Sequence, residues 1–162
     1  MPRPHPRPPR RLMIAASLAL SLSMSLAQAA ETAAPSAPDK LSAARAQIAA
    51  KKWPAAVDEL KRVNDIGSAE WNNLMGYSLR KSATPDYAAA EKFYDEALRI
   101  EPQHRGALEY SGELYLITGN LSKAEARLAA LDKACRLPCE EYTDLKQSIQ
   151  RYKANGNKVV AK

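Results

Sequence analysis

From Leu41 onward the apolar side chains return every three or four positions, the period of helices with one buried face, and short polar clusters interrupt them. Leu41, Ala44 and Ile48 lead toward Trp53, with Asp39 as the expected N-cap. Pro54 suits the first turn of a second helix, because the N–H it lacks would be unpaired there anyway. That helix carries Val57, Leu60 and Val63 and stops in Asn64, Asp65, Ile66 and Gly67. Ser68 is the expected cap of a helix from Ala69 to about Lys81, with Trp71, Leu74, Met75 and Leu79 on its apolar face. A turn over residues 82–86, two residues longer than its neighbours, leads into a helix from Tyr87 to Ile100, which Pro102 ends. A third pair joins Arg105 to Ile117 with 121 to about 135, Gly119 suiting a left-handed C-terminal cap and Asn120 the next N-cap. After Pro138, Tyr142, Leu145, Ile149 and Tyr152 mark the apolar face of a last helix, and residues 154–162 read as a disordered tail.

A second, longer period runs through the same residues. Trp53, Tyr87 and Leu121 lie 34 apart, as do Ala56, Ala90 and Ala124, then Leu60, Tyr94 and Leu128, then Val63, Ala97 and Leu131. Four columns in one register predict stacked helical hairpins, small residues letting helices approach and bulky ones filling the joints. Such arrays bind other molecules and rarely perform chemistry. The expected fold is all-α, an α-solenoid of three hairpins over about 38–67, 68–104 and 105–138, closed by a capping helix over 139–153.

These residues resemble the tetratricopeptide repeat family. The second repeat is the most typical, with Trp71, Leu74 and Gly76 in one helix and Tyr87, Ala90, Tyr94, Ala97 and Pro102 in the other half. The third offers Gly112, Tyr115, Gly119, Ala124 and Leu128. The first departs from the pattern, with Ala44 where Gly is common and no closing proline. The resemblance implies a concave groove, lined by the first helix of each hairpin, that takes a peptide or partner helix. By register its contacts would include Arg45, Asn73, Tyr77, Arg80, Lys81, Glu109 and Glu113. Asn73, Arg80 and Lys81 would hold a peptide backbone or carboxylate, and Glu109 and Glu113 would favour a basic segment. The full Lys and Asn set of a carboxylate clamp is not present.

The N-terminus changes the reading of charge. Residues 1–11 carry Arg3, Arg7, Arg10 and Arg11 with no acid, residues 12–26 are uncharged and apolar, and Ala27, Gln28 and Ala29 form a small-x-small site. This is the pattern of a secretory leader cleaved after Ala29, followed by a flexible linker over 30–37. The whole chain has 24 Lys and Arg against 18 Asp and Glu; four of those arginines precede the cut, leaving 20 against 18. The basic balance that would suggest nucleic acid as a partner thus largely disappears, and no membrane span is expected after cleavage. The chain reads as exported, in the periplasm of a Gram-negative cell, with its oligomeric state open.

Candidate chemistry is sparse. Past the leader there are two cysteines and one histidine, His104, too little for a multi-ligand metal site. Export and an even count predict a disulfide between Cys135 and Cys139, at the end of one helix and the start of the next, fixing the capping helix. Free thiols and a redox-active dithiol are the rival readings. His104 reads as a solvated loop residue, and Glu140 and Glu141 as acids favoured by a helix N-terminus. No nucleophile, phosphate loop or carboxylate pair stands out, so neither an enzyme nor a cofactor is expected. Function is read as an interaction scaffold for a protein or peptide. The alternatives are a thiol-redox or envelope assembly factor built on the cysteine pair, and a self-associating structural subunit.

Overall fold

The computed structural model describes residues 39–137 and 139–159. The leader with its cut after Ala29, the linker over 30–37, the expected break at Pro138 and residues 160–162 of the tail lie outside them.

Seven helices follow one another among the described residues: α1 (Ser42–Ala49), α2 (Trp53–Val63), α3 (Ala69–Lys81), α4 (Tyr87–Ile100), α5 (Arg105–Ile117), α6 (Leu121–Ala134) and α7 (Glu140–Ala154). The same residues contain no strand. Local chemistry sets most boundaries. The Ser68 hydroxyl accepts from the Trp71 N–H, the Asp86 carboxylate from the Ala89 N–H, and the Asn120 amide oxygen from the Lys123 N–H. Asn64 after α2 and Gly119 after α5 take positive φ, the left-handed geometry that reverses a chain leaving a helix. Asp39 is a correction at this scale. Leu41 occupies the N-cap position, and the Asp39 carboxylate accepts from the Leu41 N–H, ahead of the helix rather than inside its first turn.

α1 packs on α2, α3 on α4, α5 on α6, and α7 lies across α5 and α6. α3 also touches α1 and α5 directly, whereas among the described residues no such approach links α2, α4 and α6 to one another. The odd-numbered row is therefore the more closely spaced side of the array. The 34-residue columns fall where helices meet. Ala56, Ala90 and Ala124 are fully buried, as are Leu60, Tyr94, Ala97 and Leu131, and Leu128 and Val63 are half-buried. Trp53, Tyr87 and Leu121 sit half-buried at the joints. Trp53 meets Tyr77 edge-on at 5.9 Å, Tyr87 packs on the cluster containing Ala107 and Leu114, and Leu121 on the cluster around Leu108 and Leu145.

Two glycines carry the closest approaches. A Cβ at Gly76 would lie 2.8 Å from the Tyr94 ring, and one at Gly112 would lie 2.5 Å from Leu145. Leu145, Ile149 and Tyr152 of α7 close the cluster formed by Leu108, Tyr115, Leu116 and Leu131. Without α7 that apolar surface would face water. Cys135 and Cys139 stand at bonding distance, 2.01 Å between sulfurs, and no free cysteine occurs among the described residues.

Candidate functional site

The odd-numbered helices present a cavity of about 470 Å³ whose wall includes Glu70, Asn73 and Tyr77 of α3, His104 just before α5, Glu109 and Tyr110 of α5, and Glu141 of α7. The first turn of α3 and the start of α5 meet at its rim because Glu70 and His104 join them. The His104 Nε2 lies 3.1 Å from a Glu70 carboxylate oxygen, and its Nδ1 accepts from the Ala107 N–H. Arg45 donates to the other Glu70 oxygen at 2.9 Å and also pairs with Asp39, and the Asn73 amide donates to Glu70 at 3.2 Å. His104 is thus a helix cap and an interhelical partner, which corrects its reading as a solvated loop residue. The Glu70 hydrogen bond holds its pKa above the usual imidazole range despite partial burial. Burial pushes Glu70 up, but its bonds from His104, Arg45 and Asn73 together bring it below the ordinary carboxylate value.

The groove positions on α3 and α5 divide into two groups. Asn73, Tyr77 and Glu109 line the cavity just described. Arg80, Lys81 and Glu113 line a second one of about 320 Å³, together with Tyr87, Leu116, Ile117 and Tyr152. Arg80 is only 6% exposed. Its guanidinium meets Glu113 at 2.9 Å and lies over the rings of Tyr77 and Tyr110, at 5.4 and 5.6 Å from their centroids. Arg80 and Glu113 neutralise one another, so Arg80 is a structural charge that positions two aromatic rings. The rings of Tyr77 and Tyr110 lie 4.6 Å apart, forming an aromatic wall in the first cavity. Lys81 is exposed. Sequence reasoning misses Tyr110, and the signal available for it is an aromatic ring beside Glu109 in the second turn of α5.

Glu109 differs from the other acids here. It is 8% exposed and has no hydrogen-bonded or ion-paired partner among the described residues. Burial first, then the neighbouring Glu113, Asp144 and Glu141, push its pKa up to about 8. A third depression borders the bridged cysteines, with Arg105, Arg136, Leu137 and Glu141 in its wall. Among the described residues no group of histidine, cysteine and acid side chains is arranged to hold a metal ion, and no helix is long and apolar enough to cross a membrane.

A family model described as tetratricopeptide repeat matches residues 85–149, from the end of the long turn into α7. The chain is also similar to the BBSome complex member BBS4 of Bos taurus, 29% identical over 107 residues, a match that takes in 63% of this chain and 19% of that protein. The chain therefore spans about a fifth of the length of the curated relative it matches. The fold is an all-helical array of stacked helices, similar to tetratricopeptide repeats over residues 85–149. Repeats of this kind generally serve as protein–protein interaction modules.

Proposed function

We propose that this chain is an exported scaffold that holds an extended peptide or a partner's helix along the row α1, α3 and α5, with Asn73, Tyr77, Glu109 and the exposed Lys81 as contacts. The observation that carries this reading is the 470 Å³ cavity, which crosses from Ile48 on α1 to Glu141 on α7 along the tight side of the array. We read residues 38–67, 68–104 and 105–138 as three repeats and 139–153 as their cap. Export is supported by the leader pattern, and the bridged Cys135 and Cys139 suit an oxidising compartment.

Capture of partners from an envelope fraction by the full chain, compared with its Tyr77→Ala and Asn73→Ala variants, tests the groove. Loss of the captured proteins at unchanged helicity is expected, and an unchanged set would move the contact surface elsewhere. N-terminal sequencing of the exported protein is expected to begin at Ala30. The redox alternative has the depression beside the cysteine pair behind it. Equilibration with glutathione couples discriminates, since a structural bridge stays oxidised at potentials that reduce exchange-active pairs.

A further inference from the structure

We propose that the cavity between α3 and α5 receives one lysine or arginine side chain of the bound peptide, its cationic head pairing with the carboxylate of Glu109. The inference rests on the groove reading above and names the chemistry the groove selects.

Three neighbouring acids are already matched. Glu70 is held by Arg45 and His104, Glu113 by Arg80, and Glu141 faces Arg105 at 3.6 Å. Among the described residues, Glu109 is the acid that combines nine-tenths burial, a place in the cavity wall and no ion-paired partner. A buried carboxyl without a partner is costly, and a native fold that keeps one facing a cavity has left room for the missing charge. Asn73, 4% exposed and on the same wall, keeps a buried amide oxygen with no donor, a second vacant acceptor beside the first. Glu101 adds negative potential at the rim. The phenol rings of Tyr77 and Tyr110, with Leu74 and Ile48, supply apolar surface for the methylene stem of a long basic side chain. Charge complementarity therefore selects a cation, and the stem-lining wall selects one on an aliphatic chain.

Binding is linked to a proton. The groups that set the charge on Glu109 are Glu113 on its own helix, Arg80 on α3, and Glu141 and Asp144 on α7. The phenols of Tyr77 and Tyr110 share its wall, with the Glu70–His104 pair, Glu101 and Arg105 around them, and α4 and α6 contribute no residue. With its pKa near 8, Glu109 is mostly protonated at pH 7, and a cation must displace that proton. Affinity for a basic side chain thus rises with pH toward 8, with release of up to about one proton per site at pH 7.

The test uses the full chain and three probes: a capped pentapeptide of four alanines with a central lysine, the same peptide with norleucine, and spermidine. Calorimetry in buffers of different ionisation enthalpy reads affinity and proton release together. The lysine peptide is expected to bind about ten-fold or more tightly than the norleucine peptide, with proton release that disappears in Glu109→Gln along with the preference. Glutamine matches the neutral carboxyl that already predominates at pH 7, so this variant folds, and circular dichroism checks it. Equal binding of the two peptides, or a lysine preference that survives Glu109→Gln, overturns the proposal. Spermidine binding as tightly as the lysine peptide overturns the assignment to a peptide. In partner capture, loss with Tyr77→Ala but full retention with Glu109→Gln sinks this inference and leaves the groove standing; retention with both sinks both.

Discussion

At the scale of single residues, the groove is built from charges whose partners lie a whole repeat away. Glu70 and His104 are 34 positions apart in sequence and 3.1 Å apart in space. Nothing local to His104 in the chain announces that contact, so its solvated-loop reading fails for a physical reason: the partner is brought by stacking. Likewise the pairing of Arg80 with Glu113 depends on which faces of α3 and α5 meet, which apolar spacing gives only to within a turn. The pair at His104 has a testable pH signature. Its raised pKa means the stabilisation is fully present below the unfolded imidazole value of about 6.5 and is lost as pH rises through the folded value. Glu70, shifted down, contributes above the ordinary carboxylate range and loses its contribution as pH falls through the folded value. Protonation puts a hydrogen on Nδ1 and so exchanges the bond from the Ala107 N–H for the full ion pair, whereas His104→Asn keeps an amide oxygen that caps α5 at every pH and removes the charge. Urea unfolding is expected to show the variant weaker by about 1 kcal/mol at pH 6, the gap closing toward alkaline pH. A gap that does not change with pH would dismiss the ion pair as its source.

At the scale of elements, caps and turns are legible in the sequence because their signals are local. Ser68, Asp86, Asn120 and Gly119 sit where short-range hydrogen bonding and backbone geometry require them, and the starts of α3, α4 and α6 and the end of α5 follow. The weak point is α1, a helix of eight residues with no side-chain cap, where Asp39 bonds ahead of the first turn. The link from α6 to α7 is legible from its cysteines. Closing so short a loop contributes about 2 kcal/mol in the chain-entropy view. The Cys135→Ser, Cys139→Ser double variant is accordingly expected to unfold at lower urea by about that amount. Hydrogen exchange should accelerate first in α7, and uniform acceleration along the chain would argue against a local role for the bridge.

Across the whole molecule, four columns of residues suffice to draw stacked pairs, since Ala56, Ala90 and Ala124 are buried where helices nearly touch. The groove itself is less legible. Residue types on the odd helices can be placed in it, but their sorting into open and neutralised charges depends on the twist between successive pairs. The long turn over 82–86 shifts α5 by two positions against the 34-residue count. Tyr110 stands at strict spacing from Gly76 and lines the groove, while Gly112, two residues later, takes the close approach. Stability of the array is expected to depend on its last helix. Leu145→Ala empties a fully buried site against Gly112 and should cost about 2–5 kcal/mol in thermal or urea unfolding. A cost under about 1 kcal/mol would mean that α7 does not seal the core.

The two rows of helices are joined by different means. The odd row meets through direct packing, an aromatic wall and the part-buried pairs of Glu70 with His104 and Arg80 with Glu113, whereas α4 and α6 are bridged by more exposed side chains, Lys123 to Glu91 at 3.0 Å and Arg127 to Asp95 at 2.8 Å. Those outer pairs face solvent more and weaken further as salt screens them, while the pair of the buried Arg80 with Glu113 is screened less. The spacing between the even-numbered helices is therefore expected to answer to the ionic strength of the surroundings more than that between the odd-numbered ones, a difference that small-angle scattering across a salt series would read.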